Sequence, residues 1–137
     1  MYKFLPHTAD VKIRAIGKSF EQAYSESAMA LKEIILDHEK IEIKPQIKKK
    51  VKLVGNDSEN LLYKFLEEFL YLLDAEDFIL SKISNIKLLE NNELEAEIIG
   101  DKASNYEISN KVKAITYNEM FVGKKGKEFI CEFVLDV

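Results

Sequence analysis

Two short acidic motifs lie at opposite ends of this chain, His7-Thr8-Ala9-Asp10 and Leu135-Asp136-Val137. Each borders a strand-like apolar run, so a sheet pairing the N- and C-terminal strands would gather Asp10, Asp136 and the carboxylate of Val137. Crowded carboxylates repel one another unless a cation intervenes, and an all-oxygen donor set suits Mg²⁺, Mn²⁺ or Ca²⁺. The plainer alternative is a pair of solvated turn formers at strand ends. His7 follows Pro6 in an irregular lead-in. It is a candidate ligand, proton carrier or phosphate contact, or a side chain that merely bonds a nearby carbonyl. Lys113, Thr116 and the run Tyr117-Asn118-Glu119 fall near another strand end and would join the acidic residues only if those strands are neighbours.

Other chemistries lack their residues. The sequence has no glycine-rich phosphate loop, no Cys-x-x-Cys, no Gly-x-Ser-x-Gly and no histidine pair at helical spacing. The single cysteine, Cys131, alternates with apolar residues in Phe129-Ile130-Cys131-Glu132-Phe133 and reads as a structural thiol. His38 follows a helix and suits its negative end. Lys48-Lys49-Lys50 would be split between the two faces of a strand, which favours edge protection over a phosphate contact. A metal-bearing edge without a nucleophile or base points to a non-enzyme that assists another active site.

The elements that must position these residues are legible in the pattern. Val11 to Ile16 alternates with period two and ends at Gly17, marking a half-buried strand. Ser19 with Gln22 forms a capping box ahead of a helix that carries Phe20, Ala23, Tyr24, Ala28, Leu31 and Ile35 on one face. Ile41 to Val54 reads as extended chain broken at Pro45. Gly55-Asn56-Asp57-Ser58 then caps a second helix with a broad apolar arc through Leu62, Phe65, Leu66 and Phe69. Strands follow over Ser81 to Leu89 and Glu93 to Gly100 about a turn at Asn91-Asn92, and over Lys111 to Tyr117 and Phe129 to Val137 about Gly123-Lys124-Lys125-Gly126. This order predicts an α+β fold, a single domain over residues 1–137 with two helices on a largely antiparallel sheet.

Bulk properties set the outer limits. The 137 residues are 47% hydrophobic, enough for an ordinary packed core. A net charge of −4, from 20 basic and 24 acidic residues, gives no global attraction to nucleic acid. No run approaches the roughly 18 apolar residues of a membrane span, and Met1 to Pro6 lacks a signal-peptide core, so a cytoplasmic location is expected.

Five ordered blocks carry a family pattern. They are His7-Thr8-Ala9-Asp10-Val11, Ser19-Phe20-Glu21-Gln22-Ala23, Leu61-Leu62-Tyr63-Lys64-Phe65-Leu66 with Leu70-Tyr71-Leu72, Val112-Lys113-Ala114-Ile115-Thr116-Tyr117, and Leu135-Asp136-Val137. Through them the whole chain resembles the archease family, small proteins that act with the RtcB-type RNA ligase in tRNA splicing and RNA repair. The resemblance implies a protein that speeds guanylylation of the ligase, restores its turnover and broadens its nucleotide choice. It also implies a metal site on Asp10, Asp136 and Val137, with His7 and Lys113 as accessory tip residues and Ca²⁺, Mn²⁺ or Mg²⁺ as the cation. The same family is linked to modulating an RNA methyltransferase, which gives a second expectation of a chaperone-like module. Two positions depart from the family pattern: Lys12 stands where glycine is common, and Asn118 where histidine is common.

Overall fold

The computed structural model describes residues 1–6 and 10–137, and His7, Thr8 and Ala9 lie outside the described residues. The described elements are β1 (Tyr2–Leu5), β2 (Val11–Gly17), α1 (Phe20–Ile35), β3 (Ile47–Val54), α2 (Ser58–Glu76), β4 (Phe78–Leu89), β5 (Glu93–Lys102), β6 (Ala114–Lys125) and β7 (Glu128–Asp136).

Side-chain caps fix where the helices start. The Ser19 hydroxyl accepts the Gln22 N–H at 3.0 Å. The Gln22 amide oxygen accepts the Lys18 N–H at 2.6 Å, one residue upstream of the expected reciprocal partner. At α2 the Asp57 carboxylate accepts the Asn60 N–H at 2.7 Å. That helix stops at Asp77, whose left-handed φ of 51° turns the chain directly into β4. Asp77 is held there by the Ser104 N–H and hydroxyl, at 2.9 and 2.6 Å. Phe78, Ile79 and Leu80 are all buried, so β4 begins three residues before the expected Ser81, in a triplet that lacks the half-buried alternation.

The seven strands divide into two antiparallel sheets. One is ordered β1-β2-β7-β6 and the other β3-β5-β4. Helix α1 packs on β1, β2 and β7 of the first sheet and on β4 of the second, while α2 packs on β6 and on β3 and β4. The two helices thus join the sheets through one core, in which Tyr24, Phe65, Phe78 and Phe133 are fully buried. The Tyr24 hydroxyl keeps its polarity satisfied by donating to the Ser58 carbonyl at 2.6 Å.

Several boundaries differ from the sequence expectation. β1 pairs with β2 through Tyr2–Ala15 and Leu5–Lys12, although its four residues are too short to show a period. Residues 38–46 form no strand; Ile43 is buried and the Lys44 N–H donates to the Tyr106 hydroxyl at 2.9 Å, so the ladder starts at Ile47. Asn91 and Asn92 make the expected turn with φ of 62° and 56°. The last hairpin turns at Gly126, φ 63°, and Lys127, because Gly123, Lys124 and Lys125 still pair with Ile130, Phe129 and Glu128. β6 begins at Ala114 and runs on to Lys125 rather than spanning Lys111 to Tyr117, interrupted by an irregularity that bears on the site.

Candidate functional site

The ladder between β2 and β7 determines which terminal residues meet. It sets Val11 against Leu135, Ile13 against Phe133 and Ala15 against Cys131. These six belong to the face packed on the core. The intervening pairs Lys12–Val134, Arg14–Glu132 and Ile16–Ile130 occupy the opposite face. Asp10 and Asp136 flank the Val11–Leu135 pair, the last of the ladder, Asp10 just before β2 and Asp136 at the end of β7. Val11 and Leu135, separated by almost the whole chain, therefore meet at one end of one sheet.

The third strand adds to this end. Ala114 of β6 pairs with Asp136, and the Lys113 N–H donates to the Asp136 carbonyl at 2.7 Å. Lys113, itself exposed, is thus anchored by its main chain beside Asp136. Asp10, Asp136 and Val137 are all half-buried. His7 falls outside the described residues. Among the described residues, no group of three His, Cys, Asp or Glu side chains is placed to hold a metal ion. Two carboxylates supplemented by the main-chain oxygens of Val137 make an oxygen-only set, the chemistry that suits a hard divalent cation.

β6 bulges next to this end. Thr116 pairs with Val134 and Phe121 with Glu132, so residues 117–120 stand opposite Phe133 alone. Helix α2 grips the bulge. The Tyr117 ring stacks on Tyr63 with centroids 4.3 Å apart, the Asn60 side-chain amide donates to the Tyr117 hydroxyl, and the Glu59 carboxylate accepts the Val122 N–H at 3.1 Å. Within the bulge Glu119 adopts a left-handed φ of 63°. Its carboxylate reaches back across β7 to the Lys12 ammonium, 3.1 Å away. The contact passes over Val134, the β7 residue paired with both Lys12 and Thr116, and Val134 is buried. One row along, Arg14 and Glu132 form a second cross-strand pair at 2.6 Å.

The sequence reading missed this ion pair and the aromatic clasp. The signals were present in part: Lys12 broke the family pattern, and the polar run Asn118-Glu119 interrupted a strand. The remaining candidates fall where their alternatives placed them. Lys48 and Lys50 point to the outer face of the second sheet, where Lys48 pairs with Glu97 at 3.3 Å, while Lys49 meets Glu76 at 2.8 Å and lies over the Phe78 ring. His38 lies just beyond α1 and contacts Glu33 at 2.8 Å. Cys131 is fully buried and its thiol pKa is pushed up to about 12, chiefly by burial, so it is no nucleophile.

Comparison with known proteins places the chain. The family model described as "Archease protein family (MTH1598/TM1083)" matches residues 2–137. This chain belongs to the archease family. It is 37% identical to the archease of Sulfurisphaera tokodaii over 139 aligned positions, covering 99% of this chain and 98% of that one. An archease of Saccharolobus islandicus, strain Y.N.15.51, is 39% identical with the same coverage. The solution structure of Methanobacterium thermoautotrophicum protein 1598 shares the fold with a TM-score of 0.80 at 24% identity, covering 99% of this chain and 98% of its own. A crystal structure from Thermotoga maritima, described as an archease and possible chaperone, shares it with a TM-score of 0.62 at 20% identity, covering 100% of this chain and 98% of its own. The α+β architecture, two helices on antiparallel sheets, is thus the archease fold. Among the described residues, no helix is long and apolar enough to cross a membrane.

Proposed function

We propose that this chain is a protein cofactor of an RtcB-type RNA ligase, presenting its acidic tip to the ligase cleft during guanylylation and so restoring multiple turnover. The observation that supports the reading is the β2–β7 register, whose last pair, Val11–Leu135, is flanked by Asp10 and Asp136, in a chain of the archease family. A divalent cation bound there, Ca²⁺, Mn²⁺ or Mg²⁺, would neutralise charge around a nucleotide triphosphate.

The chain's own residues do the rest. Asp10 and Asp136, flanking the last pair of two adjacent strands, would supply carboxylate oxygens, and Val137 main-chain oxygens. Lys113, tied by its N–H to Asp136, brings a cationic side chain to the same end, where phosphate groups of a bound nucleotide would meet it. His7 is a further accessory residue in the same motif. The nucleophile remains the ligase's histidine, so this chain is not itself the enzyme. Labelled ligase–GMP formation, measured with and without the chain, tests the reading. Faster labelling that is lost with Asp10→Ala and with Asp136→Ala supports it, and an unchanged rate with the unmodified chain refutes it.

A second reading, a chaperone-like module for an RNA methyltransferase or another RNA-processing protein, draws on one observation. Val54 and Leu89, 58% and 42% exposed, flank Glu93 at one end of the second sheet and offer a small apolar contact. Light scattering of the partner during heating discriminates: protection that survives chelation favours this reading, and absence of protection removes it.

A further inference from the structure

We propose that the outer edge of β3 is a docking site for an extended segment of a partner protein, which adds to the second sheet as a further strand with acidic side chains on its outer face and basic ones against α2. The proposal is independent of the acidic tip, which lies at the end of the first sheet.

The two sheets have four edge strands, β1, β6, β3 and β4, and these are not equivalent. β1 has four residues, β6 is interrupted between Thr116 and Phe121, and β4 is irregular between Leu80 and Lys82 and again between Ile83 and Asn85. Short length and bulges of this kind keep an edge from pairing further. β3 has neither, and its ladder with β5 runs unbroken from Ile47 to Val54. The Gly55 N–H donates to the Asn92 carbonyl at 2.8 Å in continuation of that register, so the odd-numbered residues of β3 exchange bonds with β5 and the even-numbered ones turn their N–H and C=O groups outward. The Val54 carbonyl accordingly accepts a bond from the Lys64 ammonium at 2.8 Å. Among the described residues, no partner meets the outward main chain of Lys48, Lys50 or Lys52.

Charge on both sides of this edge specifies the occupant. On the outer face the ladders set Lys52 beside Glu95 and Lys87, Lys50 beside Glu97 and Asn85, and Lys48 beside Ile99 and Lys82. Glutamates of the central strand thus lie between lysines of both edge strands, and a strand added to β3 completes the alternation when it brings acidic residues. Lys48 and Lys52 reach Glu97 and Glu95 at 3.3 and 4.0 Å, yet all three β3 lysines stay exposed. On the inner side a groove of 290 Å³ runs between β3 and α2, lined by Leu53, Lys64, Glu67, Glu68 and Tyr71. Lys64 is taken by Val54, Glu67 faces the Tyr63 hydroxyl, and Lys49 pairs with Glu76 at 2.8 Å. Glu68 has no ion-pair or hydrogen-bond partner among the described residues, and burial, followed by Glu76 and Glu67, raises its carboxyl pKa. A guanidinium or ammonium there relieves that repulsion, and Tyr71, 56% exposed, offers a ring face beside it. A second copy of β3 does not fit, because its lysines would stand against these lysines. A nucleic-acid strand would meet Glu95 and Glu97 on one side of the edge and Glu67 and Glu68 on the other.

Fluorescence anisotropy of a short labelled peptide that alternates glutamate with arginine and valine tests the site on the full chain. This peptide is expected to bind, and one of the same composition with its glutamates grouped at one end to bind about tenfold more weakly. N-methylation of alternate peptide residues is expected to abolish binding on the set whose N–H groups face β3 and to spare it on the other set. Lys50→Glu should weaken binding about tenfold, with recovery when the central glutamate of the peptide becomes lysine, and Glu68→Lys should weaken it by a similar factor. Melting curves establish that both variants are folded, and the peptide comparisons do not depend on them.

Absence of binding at about 1 mM peptide, equal binding of the grouped peptide, or equal effects of the two methylated sets would overturn the proposal. Unchanged affinity in both folded variants would do the same. A labelled oligouridylate that binds as well as the alternating peptide and loses affinity with Lys50→Glu would assign the edge to RNA and overturn it too.

Discussion

Val11 of β2 stands directly opposite Leu135 of β7 as the last pair of their ladder, and Asp10 and Asp136 flank that pair. Both apolar residues face the core, where Leu135 is fully buried, so a slip of one position would expose the inner face of both strands. Core packing thereby fixes the register of the ladder that runs up to these two aspartates. The aspartates are half-buried at the sheet's end and contribute little to that core.

Loss of either carboxylate should accordingly spare the fold. Asp10→Asn and Asp136→Asn are expected to change unfolding free energy in urea by no more than about 0.5 kcal/mol without metal, while cation affinity falls sharply. A large destabilisation without metal would show that the tip is structural.

The neighbouring Arg14–Glu132 pair should behave in the opposite way. Glu132 is buried on the sheet face and bonds Arg14 at 2.6 Å. Removing the guanidinium leaves a carboxylate with poor solvation, so Arg14→Ala should cost about 2 kcal/mol. Arg14→Ala with Glu132→Gln should recover part of that loss, as a double-mutant cycle in urea would measure.

Much of this was legible beforehand, for local reasons. The two strands beside the tip announced themselves through period-two alternation at Val11 to Ile16 and Phe129 to Val137, and Ser19 and the turn Gly55-Asn56-Asp57-Ser58 marked the helix starts. The partnership of those strands was only a supposition, since register is a long-range property set by core packing. Division into two sheets was equally hidden, because alternation shows which face is buried and not which strands share a ladder. The bulge at residues 117–120 was invisible for a different reason: contacts with Asn60, Tyr63 and Lys12, all remote in sequence, are what hold it.

Alkaline pH should destabilise the protein through Cys131. Burial raises the thiol pKa from 9.0 to about 12, so the unfolded chain loses this proton first. The contribution is intact below pH 9 and is lost progressively as pH rises toward 12. Urea titrations at rising pH should show a shallower decline for Cys131→Ala than for the unmodified chain. Tyr2, raised from 10.0 to about 12 by burial and then by its bond to Glu33, adds to the residual decline.

The bulge offers room for stabilising changes. The Thr116 hydroxyl oxygen is buried and has no hydrogen-bond partner. Thr116→Val keeps the shape and removes the desolvated group, and should add about 1 kcal/mol in urea unfolding. An unfolding midpoint that drops for Thr116→Val would contradict this account of the bulge.

Multiple-turnover RNA ligation by an RtcB-type ligase is the most direct test of the central claim. Reactions with the unmodified chain, Asp10→Ala and Asp136→Ala should show sustained turnover only with the unmodified chain, all three proteins being folded. Sustained turnover with both variants would contradict a functional acidic tip, and no stimulation by the unmodified chain with its cognate ligase would contradict the cofactor role itself.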